Sequence, residues 1–301
     1  MPPARNQRIQ SMEKPHRNTL LVEEAEIHSH EAFAGDQYVL RVSAPGIAAR
    51  ARPGSFVHIQ CDPGRPLRRP ISIMRVDAET GTVELLYKVF GEGTRLLASR
   101  EKGETVSLIG PIGRPFEPHP ERPRPLLIGG GVGIPPMIFL ADALRREPQW
   151  QPFVIMGSEV PFPFRERPSE IIVPGVPDGV IACVPLLEDW GIPSRLASLQ
   201  GYPGCHQGYV TDLARGWLGQ LDAAALREVE VFACGPHPML EAVATLAKEF
   251  DLPCQVSMEE FMACGVGGCA GCTIEVQTPE GPAMKRVCVD GPVFDARQVF
   301  A

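Results

Sequence analysis

Four cysteines carry the strongest chemical signal in this 301-residue chain. Cys264, Cys269 and Cys272 lie in Met262-Ala263-Cys264-Gly265-Val266-Gly267-Gly268-Cys269-Ala270-Gly271-Cys272, and Cys288 follows after fifteen further residues. Three thiolates on one loop can wrap a compact cluster, because Gly265, Gly267, Gly268 and Gly271 admit positive φ and close backbone approach. Amides exposed by such a loop can point at bridging sulfides and temper their charge. The spacing is the plant-type [2Fe–2S] pattern. Structural zinc also takes four cysteines but is usually held by two closely spaced pairs, whereas here one partner stands alone. A disulfide framework belongs to secreted chains, and nothing marks this one as secreted. The fourth thiolate is expected on a strand, Arg286–Val289. Phe261, Met262, Ala263, Val266 and Ala270 would give the loop an apolar surface. Glu259 and Glu260, just before it, read as surface carboxylates.

Two further constellations suit phosphates. Arg69-Pro70-Ile71-Ser72 is followed by Gly91-Glu92-Gly93-Thr94. A guanidinium pairs with a pyrophosphate through two hydrogen bonds, and the Gly-x-Gly-Thr turn offers amides at the start of a short helix, Thr94–Ser99. Either motif alone is common; in this order, on a small barrel, they resemble the FAD site of the ferredoxin reductase superfamily. That resemblance implies that Ser72 contacts the redox-active nitrogen of the isoalloxazine ring. The second constellation is Gly129-Gly130-Gly131-Val132-Gly133-Ile134-Pro135-Pro136, a strand-to-helix turn of the type that presents amides to a dinucleotide. The bland alternative is a tight turn and nothing more. Cys234-Gly235-Pro236 ends a later strand, a position that in the same superfamily lies beside the nicotinamide. Taken by itself, Cys234 reads as a small buried residue. Met156-Gly157-Ser158-Glu159 would end the second strand of this domain, where Glu159 can accept from ribose hydroxyls and repel a 2′-phosphate, favouring NADH. Arg165 and Arg167 follow closely and argue the other way.

The elements needed to position these groups are legible. Runs at Leu20–Ile27, Gln37–Val42, Phe56–Gln60, Ile71–Arg75, Thr82–Val89 and Thr105–Ile109, separated by Gly, Pro and Asp turns, predict a small antiparallel barrel. Pro111 to Pro125 reads as a stiff linker. From Leu126 the rhythm changes to strands at Leu126–Ile128, Phe153–Met156, Val180–Val184 and Val229–Ala233. They alternate with helices whose inner faces are Met137, Leu140, Ala141 and Leu144, then Leu240, Val243, Ala244 and Ala247. Alternation of this kind predicts a doubly wound parallel sheet. The stretch between Glu159 and Gly179 is Pro-rich and irregular. After Cys254 comes a segment too small to be stable without its metal. The expected architecture is therefore a multidomain β plus α/β chain of ferredoxin-reductase type: an arm (1–17), an FAD-binding barrel (18–120), an NAD-binding α/β domain (121–253) and a [2Fe–2S] domain (254–301).

Composition excludes several classes. The formal charge is −7 with no basic patch among aromatics, so nucleic acid is not expected as a partner. Residues 125–141 are uncharged but short, and glycines and prolines interrupt them, so no membrane span is expected. Residues 1–17 are basic but lack the apolar core of a secretory signal. Nine cysteines, five of them scattered, suggest a reducing, cytoplasmic setting. No G-x-S-x-G, H-E-x-x-H or Walker loop is present. His28-Ser29-His30-Glu31 reads as a solvated strand face.

A nicotinamide gives two electrons at once and a [2Fe–2S] centre takes one, so a flavin belongs between them. The order of Arg69–Ser72, Gly91–Thr94, Gly129–Pro136, Cys234-Gly235-Pro236 and the Glu259–Cys272 cluster loop resembles the electron-transfer subunits of B-type dihydroorotate dehydrogenases, over Leu20 to Arg297. The resemblance implies FAD, NAD and [2Fe–2S] as cofactors. It also implies a flavin-containing dihydroorotate dehydrogenase partner in a heterotetramer, in pyrimidine biosynthesis. Similar subunits serve sulfhydrogenases and transhydrogenases. A reading of another class is a cluster-carrying, redox-sensing binding protein.

Overall fold

The computed structural model describes residues 19–300, so the arm assigned to residues 1–17 lies outside the described residues. Strands β1 (Leu21–Phe33), β2 (Gln37–Ser43), β3 (Phe56–Gln60), β4 (Arg69–Asp77), β5 (Thr82–Lys88) and β6 (Thr105–Ile112) close into an antiparallel barrel in the order β1-β2-β5-β4-β3-β6. Alternation sets the faces. In β3, Val57 and Ile59 point inward and pack with Ile71, Ile73, Leu85 and Leu108. Phe56 belongs instead to a core outside the barrel, so the odd and even residues of one strand serve two domains.

The chain then crosses to β7 (Arg124–Gly130) and β8 (Phe153–Gly157). Two short strands, β9 (Arg167–Pro168) and β10 (Ala182–Cys183), pair with each other, and β11 (Ser194–Ala197), β12 (Val229–Cys234) and β13 (Cys254–Ser257) follow. A hairpin of β14 (Thr273–Thr278) and β15 (Gly281–Arg286) precedes β16 (Val293–Asp295). The main sheet runs β11-β8-β7-β12-β13-β16. Its first five strands are parallel and β16 joins antiparallel. Strand order reverses between β7 and β12, the place where an open α/β sheet opens a crevice for ligands.

The helix Ile134–Leu144 leaves β7 with prolines in its first turn, where their missing N–H costs nothing. It joins the domains: Phe139 lies in the barrel core while Met137 and Leu140 pack beneath the sheet. Burying a side chain of this size is worth about 1.5–3 kcal/mol, so barrel and sheet are held as neighbours.

Four expectations need correction. Val180–Val184 is not a strand of the parallel sheet; only Ala182–Cys183 is extended, paired antiparallel to Arg167–Pro168. The edge strand is Ser194–Ala197, whose polar first half hides it from hydrophobicity-based reading although all four residues are buried. Its Ser194 Oγ accepts from the Val184 amide at 3.0 Å, and Arg195 donates to the carbonyls of Ser194 and Ile171 at 2.7 Å each. Secondly, Cys254–Ser257, placed by sequence at the start of the cluster domain, pairs with β12 in the sheet.

The third correction concerns the Pro-rich linker, which is docked along its length. Phe116 is buried against Phe232, edge to face at 5.7 Å. His119 donates its amide to Glu230 at 3.0 Å, and its Nδ1 lies 2.9 Å from the same carboxylate. Gln255 adds a third contact to Glu230 at 2.9 Å, which satisfies a carboxylate that is only 1% exposed. Lastly, Cys288 sits on the turn after β15 rather than on a strand. The barrel strands, β7, β8, β12 and both sheet helices lie where the pattern places them, with ends shifted by a few residues.

Candidate functional site

Arg69 opens β4 with Ser72 three residues on, directly across from Phe56 in β3. The helix after the Gly-x-Gly-Thr turn begins at Glu92, two residues before the expected start, and ends at Ala98. Thr94 Oγ1 accepts from the Phe90 amide at 2.7 Å and braces the turn. The two motifs meet: a Cβ added to Gly93 would fall 2.9 Å from Arg69 Nε and Nη2. Arg69 Nη1 donates to the carbonyls of Leu67 and Arg68 at 3.0 and 3.1 Å. Its remaining donors overlie the bare glycine turn, with no carboxylate paired to them among the described residues. A guanidinium with open donors over exposed amides fits a pyrophosphate. Gly91, at φ 85°, has open space where a side chain would stand. Arg65 and Glu92 form an ion pair across the mouth of this cradle. Pro70 and Ser72 are half-buried and Ile71 is turned into the barrel.

The second cradle lies at the strand-order reversal. Gly129 and Gly130 end β7, and Gly131 to Gly133 form a single 3₁₀ turn. Gly131 has φ 55° and open space beside it. A Cβ on Gly133 would overlap the Cys234 carbonyl, and one on Gly130 or Gly235 would strike Met239. The two glycine-bearing turns are therefore in backbone contact, which no larger residue permits at position 133. Such a floor of bare amides fits a dinucleotide. Pro236 is exposed and caps the start of the helix His237–Glu249. Cys234 is 8% exposed. Burial pushes its thiol up to about 12, with Ser257 opposing and the Glu259 charge adding to the rise. Cys234 is thus a neutral thiol at the crevice rather than a thiolate nucleophile.

Glu259, read from sequence as a surface carboxylate, lies near Cys234. Its outer side is open to solvent, yet the protein around it, and then the Glu260 charge, push its carboxyl above the usual range. Glu159 follows β8 and is exposed, one strand away from the glycine turn. Arg167 is committed to an ion pair with Asp189.

At the cluster loop the thiols pair two and two. Cys272 and Cys288 are buried with their sulfurs 3.4 Å apart, close to the roughly 3.7 Å expected for two sulfurs bound tetrahedrally to one metal at about 2.3 Å each. Cys264 and Cys269 form the second pair, half-buried and exposed. The Gly268 amide donates to Cys264 Sγ at 3.2 Å and the Gly271 amide lies 3.4 Å from Cys269 Sγ. Burial pushes the Cys264 thiol up, but the Val266 amide, Cys269 and the Gly268 amide outweigh it and hold it at about 7. Burial and then Cys272 push the Cys288 thiol upward. All nine cysteines are free. Among the described residues no three metal-binding side chains converge on one point. Two thiol pairs served by amides therefore fit a two-metal cluster better than one zinc ion. Gly265, Gly267 and Ala270 stand at φ 66°, 83° and 54°, the left-handed region that lets the chain double back.

His58, on the outward face of β3, was not singled out by sequence. It is fully buried against Gly265, beside Cys264. Burial and then the Arg68 charge lower its proton affinity. His30, read as a solvated face, instead contacts the Arg100 carbonyl at 2.8 Å and Tyr87 Oη at 2.9 Å.

Residues 259–300 match a family described as the iron-sulfur cluster binding domain of dihydroorotate dehydrogenase B. The chain is 32% identical over 276 residues to the dihydroorotate dehydrogenase B (NAD(+)) electron transfer subunit of Caldanaerobacter subterraneus subsp. tengcongensis, covering 92% of this chain and 97% of that one. It is 34% identical to the protein of the same description from Bacillus caldolyticus, covering 91% and 96%. Among solved structures it resembles a chain from the NADH-dependent reduced ferredoxin-NADP oxidoreductase studied for flavin-based electron bifurcation. The TM-score is 0.73 at 27% identity, over 92% of this chain and 90% of that one.

Proposed function

Because this chain belongs to the family of dihydroorotate dehydrogenase B electron transfer subunits, we propose that it carries electrons between NADH and a separate flavin-containing dihydroorotate dehydrogenase subunit. The observation that carries this reading is convergence. Cys234 shares a core with Met74 and Leu86 of the barrel, Cys272 and Cys288 pack with Phe56 and Ile112, and Arg69 adjoins Pro70, the register partner of the His58 that rests on Gly265.

A bound flavin supplies the exchange between a hydride's electron pair and the single electrons that a [2Fe–2S] centre takes. The chain's own residues do the positioning. Arg69 and the amides of Gly91 to Thr94 hold the FAD pyrophosphate, while Pro70, Ile71 and Ser72 present β4 to the ring. Gly129, Gly130, Gly131 and Gly133 admit the dinucleotide to backbone contact. Gly235 and Pro236 shape the nicotinamide end, and Cys234 keeps a neutral thiol there. Cys264, Cys269, Cys272 and Cys288 hold the metals. Glu159 accepts from the adenine ribose, and Arg167, held by Asp189, is not free for a 2′-phosphate; both favour NADH over NADPH. The functional units are the barrel to about residue 120, the sheet formed by β7, β8, β11, β12, β13 and the returning β16, and the cluster unit between β13 and β16.

The partner docks at the cluster loop, where Phe261 is 88% and Val266 44% exposed. The assembly is a heterotetramer in the cytoplasm; no helix among the described residues is long and apolar enough to cross a membrane. The chain is a redox subunit whose substrate chemistry is completed by its partner.

The decisive experiment uses purified chain alone and with the catalytic subunit. Alone it reduces ferricyanide with NADH, at a higher kcat/KM than with NADPH, and does not oxidise dihydroorotate. Adding the partner couples dihydroorotate to NAD. Arg69→Ala weakens FAD binding by about tenfold to a hundredfold, the equivalent of roughly 1.5–3 kcal/mol. Full dihydroorotate:NAD activity from the chain alone would refute the subunit reading. The likeness to the electron-bifurcating oxidoreductase supports a second reading, a reductase subunit of a transhydrogenase. Binding to such a module, with none to the dihydroorotate dehydrogenase subunit, would select it.

A further inference from the structure

His58 is fully buried, and neither ring nitrogen has a hydrogen-bond partner among the described residues. Buried polar atoms without partners are rare enough to need a cause. Neighbouring Val57 and Ile59 fill the barrel, so His58 points the other way, toward the seam. On that side a Cβ at Gly265 would lie 2.6 Å from His58 Nδ1 and 3.0 and 3.1 Å from Cγ and Cε1. The imidazole edge therefore rests directly on the backbone of the residue after Cys264. The backbones of Cys264 and Arg68 approach the ring without reaching hydrogen-bond geometry.

The opposite connection runs to the flavin strand. His58 is paired in register with Pro70, and Ile59 with Arg69. Arg68 Nη1 donates to the His58 carbonyl at 3.2 Å and also to the Ser107 carbonyl at 2.7 Å, which anchors this part of β3 to β6. One side chain thus spans the gap between the Arg69-Pro70-Ile71-Ser72 strand and the first cluster cysteine. The nearby Arg68 and Arg69 charges supply no acceptor for its N–H.

We propose that His58 is a positioning residue of the electron path, seating the Cys264 end of the cluster loop against the flavin strand and keeping a ring N–H for the anionic iron–sulfur group bound there. The inference rests on the reading of Cys264, Cys269, Cys272 and Cys288 as [2Fe–2S] ligands. A donor beside such a group favours its more negative, reduced form and so raises its potential.

The test compares His58→Gln, which keeps an N–H donor, with His58→Met, which is similar in length and lacks one. Each full-length protein is analysed for iron and sulfide, then titrated potentiometrically with the cluster followed by EPR. In His58→Met the reduced fraction of the cluster falls at least about tenfold relative to the flavin, equal to a shift of about 59 mV for a one-electron centre. His58→Gln stays near the wild-type potential. Coincident potentials for wild type and His58→Met overturn the proposal, as does a glutamine variant that shifts with the methionine variant. Wild-type protein without iron and sulfide would instead refute the cluster reading on which the inference stands.

Discussion

Two irregular segments of this molecule behave differently. The excursion from Ser158 to Ile181 contains five prolines and almost no regular structure, yet its polar groups are provided for within the protein. Glu188 accepts from the amides of Glu170 and Ile171 at 2.6 and 3.3 Å and from Ser169 Oγ at 2.9 Å. Gln37 reaches from the barrel to the Pro161 carbonyl at 2.7 Å, and Phe162 is buried beside Phe164. The cluster loop from Met258 to Cys272 is equally irregular but aims amides at thiols, exposes Phe261 almost fully and leaves Cys269 at the surface. The first segment is complete as it stands. The second is arranged around something it binds, because its amides serve thiols gathered in two pairs instead of closing on backbone carbonyls.

The sharpest way to break this contrast is Cys269→Ser. Cluster absorbance and EPR signal disappear, since one of four ligands is lost. Amides of the loop then exchange faster by about a hundredfold or more, whereas the Glu170 and Ile171 amides keep their protection. Hydrogen exchange with and without cluster reads both segments in one experiment, and equal loss in the two would show that they fold as a unit.

A smaller effect is expected from Phe162→Ala. Truncating a buried aromatic costs about 3–5 kcal/mol, which lowers the denaturation midpoint and loosens the excursion against the barrel. Iron and sulfide content stays at the wild-type level, because no loop thiol depends on Phe162. Loss of the cluster in this variant would join the segments that the comparison separates.

The least change should follow Glu188→Gln. Burial opposes ionisation of Glu188, but the Glu170 amide, Ser169, Cys183 and the Ile171 amide together hold its carboxyl below the ordinary carboxylate range. With the folded value depressed, its contribution is fully present above the unfolded value and is lost as pH falls through the folded one. The glutamine variant therefore shows a small loss near neutrality, under about 1 kcal/mol for so solvent-accessible a group. The difference from wild type vanishes at acid pH. A thermal-melt series from pH 7 downward checks the sign, and a gap that widens on acidification would reverse the assignment.

Local chemistry made much of this legible before any coordinates. The cysteine spacing names a cluster because three of the four ligands, with their turns and glycines, lie within eleven consecutive residues, and the barrel strands announce themselves by alternation over a closed core. Glycine turns after apolar runs likewise mark Gly93 and Gly129–Gly133 as cradles. Contacts between distant segments have no such local signature. Ser194–Ala197 is an edge strand because its neighbours bury it, not because its residues are apolar. Cys254–Ser257 falls in the sheet because β12 leaves an edge to be paired, and Val293–Asp295 because β13 then presents the next one. The linker is docked because Phe116 and Glu230 find partners more than a hundred residues apart in sequence. His58 is an ordinary barrel residue in sequence, and acquires a role only where Gly265 closes over it. Backbone torsions and side-chain alternation are properties of short stretches, so sequence determined them. Which stretches share a surface depends on packing the whole chain, and that the tertiary structure alone decided.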